Sequence, residues 1–396
     1  MHVLHVTPYL APAWAFGPVP QRVFALARAQ QARGLTVTVL TTDAMAPHER
    51  LRPGESIEEG VRIVRVASVT GALRSWLNLS TPIGFGRRAA RLAAHRPLDV
   101  VHLHELHTVE NLRVAAVLPR TTCIVLSPHG SARSLTPPWV RGAWHRWGGD
   151  ALLARTNVVA AASEAEASDI AAVYAGRGLS LEAARTAVVP DGIDLADAAQ
   201  HATRAEARTR FALHDGPVVL FISRLSDASG IALLIEAFIA WHRVIPSAQL
   251  LVVGADYGAL AAVRARVTAA GLDAAVHLAG HLTGRDAHLA FAAADLLAVP
   301  VRTEGFPTAT LEALASGLPV LGEPSEVIQA AVASGVGRML PPRVGAWASA
   351  LERAWAELSE RPALRETARQ VASQFGWNAA AAQLERVYER ALYVRP

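Results

Sequence analysis

Short apolar runs alternate with helix-patterned stretches along the whole chain, and they do so in two successive series. The first places candidate strands at residues 3–7, 36–41, 61–66, 99–103, 122–127 and 158–162, and the second at 218–223, 249–253, 276–279, 295–299 and 319–322. Runs this apolar suit strands buried on both faces, which is what helical crossovers produce in a parallel sheet. The expected fold is α/β with two Rossmann-like domains. Proline and glycine in Val189-Pro190-Asp191-Gly192-Ile193-Asp194 mark the join, giving domains at 1–195 and 196–376. A last helix in 377–396 has apolar positions at helical spacing but no place in the second sheet, so it is expected to pack back on the first domain. Such sheets bind ligands beyond the carboxyl ends of their strands, so two facing sheets would enclose a cleft.

Composition narrows the chemistry. The 396 residues are 52% apolar and 18% charged, enough for two packed cores and unlike a disordered chain. No apolar run reaches the roughly 18 residues of a membrane-spanning helix. The opening Met1-His2-Val3-Leu4-His5-Val6 lacks a charged leader and reads as a strand of the fold, which predicts a cytoplasmic protein. Cys123, the single cysteine, lies in an apolar run and reads as a core residue. All 38 basic side chains are arginine, so a P-loop lysine and a lysine Schiff base are excluded. Their excess over 34 acidic groups is +4, which does not predict nucleic-acid binding.

The strongest chemical signal is Glu304-Gly305-Phe306-Pro307-Thr308-Ala309-Thr310-Leu311-Glu312-Ala313-Leu314-Ala315-Ser316-Gly317. Gly305 and Pro307 end the preceding strand, residues 308–315 form helix readily, and Gly317 can end it. Free amides at the helix start would attract phosphate oxygens, Glu304 would accept from hydroxyls, and Glu312 lies within reach of a ribose. The same residues also fit a solvent-facing turn with two surface carboxylates.

Taken in order, several pieces resemble the family 4 retaining glycosyltransferases, two-domain enzymes of the GT-B fold that move a sugar from a nucleotide to an acceptor. They are Val3-Leu4-His5-Val6-Thr7-Pro8-Tyr9, Asp99-Val100-Val101-His102-Leu103-His104, Ser127-Pro128-His129-Gly130, the Val188 to Asp194 stretch, Ile222-Ser223-Arg224-Leu225, Val253-Gly254-Ala255-Asp256-Tyr257-Gly258, and Glu304 with Glu312. The resemblance spans nearly the whole chain. It implies an acceptor domain first and a nucleotide-sugar donor domain second, with His129 and Glu304 at the transferred sugar. It further implies Arg224 at the diphosphate, free amides of the Phe306-Pro307-Thr308 stretch on phosphate, Glu312 on the ribose, and Gly254 and Gly258 against the nucleoside. Gly280-His281-Leu282 would lie near the base. The expected partners are a nucleotide-diphosphate sugar, uridine diphosphate being the commonest carrier, and a carbohydrate, lipid-linked or glycoside acceptor, with no cofactor. No Asp-x-Asp triplet occurs to bridge a metal to the diphosphate.

Two departures stand out. The family usually has a lysine where this chain has Ser229, just before Gly230, which removes one diphosphate cation. The first glycine-rich loop, the acceptor or phosphate loop, reads Pro12-Ala13-Trp14-Ala15-Phe16-Gly17-Pro18, where bulky Phe16 would limit backbone approach and only Gly17 remains of the usual pair. These departures keep open a catalytically weakened nucleotide-sugar-binding homologue, and the shared architecture keeps open a nucleotide-sugar epimerase. A metal hydrolase is a further rival, because His102 and His104 would share a strand face and His107 could return to complete three ligands. Finally, Trp139, Trp144 and Trp147 lie among arginines in 133–147, a mixture that suits either peripheral membrane contact or a helix packed into the first domain.

Overall fold

A computed structural model describes the chain except residues 17, 71–72, 74–78, 134–135, 195–202, 301–307 and 394–396. It divides into two compact units, Met1–Gly192 with Trp377–Pro396, and Ile193–Gly376. The first carries strands β1 (His2–Val6), β2 (Thr36–Thr42), β3 (Gly54–Glu58), β4 (Val61–Val66), β5 (Val100–His104), β6 (Cys123–Ser127), β7 (Val158–Ala161) and β8 (Thr186–Val188), in the order β3-β4-β2-β1-β5-β6-β7-β8. All neighbours pair in parallel except β3, which joins β4 as an antiparallel hairpin. β3 reads Gly-Glu-Ser-Ile-Glu and is largely exposed, so no apolar run announced it, and its glutamates suit an unpaired sheet edge.

β1 and β5 are buried at every position, as strands covered on both faces must be. One face of the sheet packs Leu4, Val6, Val101, Leu103 and Ile124 against Phe85, Leu152 and Tyr174. On the other, Val3, Val100, Val125 and Val158 meet Leu384, Val387 and Tyr388 of the last helix, Trp377–Tyr393. That helix is therefore part of the first unit's core.

The second unit is an all-parallel sheet of β9 (Val218–Ile222), β10 (Gln249–Val253), β11 (Val276–Gly280), β12 (Leu296–Val299), β13 (Val320–Gly322) and β14 (Gly337–Met339), in the order β11-β10-β9-β12-β13-β14. Its two faces bury separate apolar sets, one around Leu251, Phe291 and Leu314 and the other around Phe238, Trp241 and Trp347. Both sheets are α/β and wound in two directions from a central strand, β1 in one and β9 in the other. The strand order consequently reverses between β1 and β5, and between β9 and β12, and crevices open at the carboxyl ends of such pairs.

Candidate active site

In the second unit, the carboxyl end of β9 leads into Ser223-Arg224, a short turn of 3-10 helix at Asp227–Ser229, and the helix Ile231–His242. Gly230 sits at the start of that helix with φ +72, and a Cβ there would come 2.7 Å from the Pro300 carbonyl oxygen just past β12. The backbones beyond the two switch-point strands thus touch, and only glycine allows it. Gly254, after β10, is equally confined, since a Cβ would fall 1.8 Å from the Ser223 carbonyl oxygen. Arg224 is exposed, its guanidinium 5.6 Å from the centre of the Tyr257 ring, a cation–π distance. Ser229 is buried and its hydroxyl donates to the Ser226 carbonyl at 2.7 Å, so it folds back on its own turn.

The helix Thr308–Ala315 begins beyond β12, with Thr308 exposed at its first position and Glu312 one turn later. Burial pushes the Glu312 carboxyl up from its ordinary 4.5 to about 7. A carboxyl so poised accepts hydrogen bonds from a ligand at the cost of becoming charged. Glu304, Phe306 and Pro307 lie outside the described residues, as does Gly17. Phe16 stacks its ring on Tyr9 with centroids 3.9 Å apart, so it packs within the first unit.

In the first unit, His129 follows β6 in the turn Ser127-Pro128-His129-Gly130. Its φ of +51 is one few residues other than glycine accept, and Glu105, at the end of β5, has +59. Two such residues at adjacent strand ends mark where the chain bears strain for the sake of position. The turn is pinned by Glu166, which accepts from the amides of Gly130 and, at 2.6 Å, Ala162. Asp191 stands 4.0 Å from His129 Nδ1 and is approached at 2.8 Å by Arg22, as a charge partner without hydrogen-bond alignment. His129, Ser127, Glu166 and Asp191 line a small cavity of about 20 Å³, room for about one water.

Behind His129 lies a group that sequence reasoning missed as a unit. His5 pairs with His102 in the β1–β5 register, and with His104 they bring three ring nitrogens within 4.8 Å of one another, all fully buried. Burial lowers the pKa of His5 to about 4 and holds His102 and His104 well below the ordinary value, so all three are neutral. Every ring nitrogen already has a partner. His5 reaches Gln30 (2.7 Å) and His104 (2.9 Å), His104 also reaches His129 (2.9 Å), and His102 reaches Tyr388 (2.6 Å) and Ser127 (2.8 Å). A metal would break at least two of these bonds, so the donor set is better suited to a hydrogen-bond network. The set of His102, His104 and His107 that the rival metal-hydrolase reading needs is not formed among the described residues. His107 packs edge-on to Trp144 and His145 instead. The tell-tale of the real cluster was His5 and His102 at matching alternate positions of two strands, which needs the register to be read.

The tryptophan stretch is corrected in part. Trp144 is buried and donates its indole N–H to the Thr108 carbonyl at 2.9 Å, so it holds the first unit together and is not available to a membrane; Trp139 and Trp147 are exposed. Among the described residues, no helix is long and apolar enough to cross a membrane.

The sequence pattern described as Glycosyltransferase Family 4 matches residues 19–197, and that described as Glycosyl transferases group 1 matches 216–357. The chain is 31% identical over 322 residues to D-inositol 3-phosphate glycosyltransferase 1 of Catenulispora acidiphila, covering 78% of this chain and 70% of that protein. It is 27% identical over 420 residues to D-inositol 3-phosphate glycosyltransferase of Xylanimonas cellulosilytica, covering 94% and 92%. The fold is similar to that of Anabaena HepE in complex with UDP, with a TM-score of 0.61 over 98% of this chain and 100% of that one at 16% identity. Two doubly wound parallel sheets with these relatives define a glycosyltransferase of the GT-B fold. Within that class, the chain belongs to the family 4 glycosyltransferases.

Proposed function

We propose that the protein transfers a sugar from a uridine diphosphate sugar to a hydroxyl of a small phosphorylated polyol such as inositol phosphate, with retention at the anomeric carbon and without a metal. The observation that carries the donor half is the reversal of strand order between β9 and β12, where Arg224, the Gly230 turn and the helix holding Thr308 and Glu312 leave one sheet edge. Negative charge grows on the diphosphate as the glycosidic bond breaks, and Arg224 with the helix amides would stabilise it. Glu312 would accept from the ribose, and His129 and Glu304 would hold sugar hydroxyls. The relatives named for D-inositol 3-phosphate support the acceptor class.

The test is turnover. Purified protein with UDP-, GDP- and ADP-sugars and inositol phosphate should release nucleoside diphosphate fastest from a UDP-sugar, unaffected by a chelator. Arg224→Ala should raise the donor KM at least about tenfold, the loss of a charge-assisted contact. Ser229, turned inward and uncharged, favours a second reading, a homologue that binds donor with little turnover. Tight UDP binding with no product across acceptors would select it, and a changed sugar without acceptor would select an epimerase.

A further inference from the structure

The histidines behind His129 form a chain in which each hydrogen bond dictates the next. Gln30 is fully buried; its amide N–H donates to the Tyr388 hydroxyl at 3.0 Å, so its carbonyl oxygen faces His5 and can only accept. His5 must therefore carry its hydrogen on Nε2, leaving Nδ1 bare toward His104 Nε2 at 2.9 Å. That nitrogen must in turn bear the hydrogen of His104, so His104 Nδ1 is bare and can only accept from His129 Nε2 at 2.9 Å. Burial keeps His5 and His104 neutral, so neither ring has a second hydrogen with which to reverse the order.

We propose that Gln30, acting through His5 and His104, is a positioning residue that holds a hydrogen of His129 on Nε2, so that the neutral form of that ring has its Nδ1 bare as acceptor for a hydroxyl of the donor sugar. Among the described residues, no hydrogen-bond partner competes for that nitrogen. The Asp191 carboxylate is 4.0 Å from Nδ1, beyond hydrogen bonding, and is engaged by Arg22. The backbone at His129, held in its left-handed conformation and tied through Gly130 to Glu166, fixes where the ring lies, while the chain fixes which nitrogen is bare. The stacked rings of His5, His104 and His129, with centroids 5.2 Å apart at each step, hold the chain in line.

The sugar-facing role of His129 rests on the proposed function, whereas the tautomer does not, and the experiment separates them. Two-bond ¹H–¹⁵N spectra of the full chain labelled at histidine, with His129→Ala to assign the ring, read the tautomer without substrate. The expected result is hydrogen on Nε2 of His129. In Gln30→Met, which keeps the volume and removes the acceptor, the His129 signals should shift toward a mixture, and kcat should fall about tenfold with the donor KM within about twofold. His5→Phe interrupts the same chain and serves if Gln30→Met does not fold. Hydrogen on Nδ1 in the unaltered protein would overturn the proposal, as would an unchanged His129 tautomer in either folded variant. Full turnover by His129→Ala would instead overturn the sugar-facing role and leave the tautomer result standing.

Discussion

Glu312 carries a pH signature of its own. Its carboxyl titrates near 4.5 when unfolded and is pushed up to about 7 by burial in the folded protein. Below pH 4.5 it is protonated in both states and contributes nothing to pH dependence. Between about 4.5 and 7 the folded state binds the extra proton, so stability falls as pH rises through that window, by up to about 3 kcal/mol. Glu312→Gln should therefore melt like the unaltered protein at pH 4.5 and higher than it at pH 8, while weakening UDP binding at pH 8, where the ionised carboxylate would accept from the ribose. Equal melting points at pH 8 would show that the helix does not desolvate this side chain. Gly254 makes a steric prediction. Gly254→Ala places a methyl group 1.8 Å from the Ser223 carbonyl oxygen, so β9 and β10 must part and the melting point should drop by several degrees in a thermal scan.

The last helix, Trp377–Tyr393, tests how elements share a core. It covers Val3, Val100 and Val125 of the central strands, and its Tyr388 hydroxyl partners both Gln30 and His102. Deleting residues 377–396 should leave the first unit insoluble or dye-binding in an exposed-surface assay. Tyr388→Phe should cost about 1–3 kcal/mol in denaturant unfolding, because two buried polar groups lose a partner at once. The helix itself was legible in the sequence from its apolar spacing, and the central strands from their uninterrupted runs. β3, β8 and β14 were not, since Gly54–Glu58, Thr186–Val188 and Gly337–Met339 are short edge strands, exposed or only half-buried, that carry no burial pattern. Among the candidate site residues, Glu312 was read from its place in a helix that follows a glycine-proline turn, and Arg224 from the family resemblance alone. Gln30, His5 and Tyr388 were not, because their meeting depends on strand register and on a helix returning from the far end of the chain.

At the scale of the whole molecule, two separately packed cores mean that a ligand's stabilisation has an address. The first unit buries Leu103 and Tyr174 on one face of its sheet and Val3 and Tyr388 on the other, and the second buries Leu251 and Trp241 on its own two faces. A nucleotide bound at the β9–β12 reversal acts directly on the second core only, and at one hundred times its Kd stabilises what it binds by about 2.7 kcal/mol. Hydrogen exchange of the full chain should therefore slow with UDP in residues 223–230, 254–260 and 308–315, while β1, β5 and β6 around the buried histidines exchange as before. A calorimetric scan should show the corresponding transition rising with UDP concentration. Protection confined to the first unit would place the nucleotide beside His129 and remove Arg224 and Glu312 from the donor site.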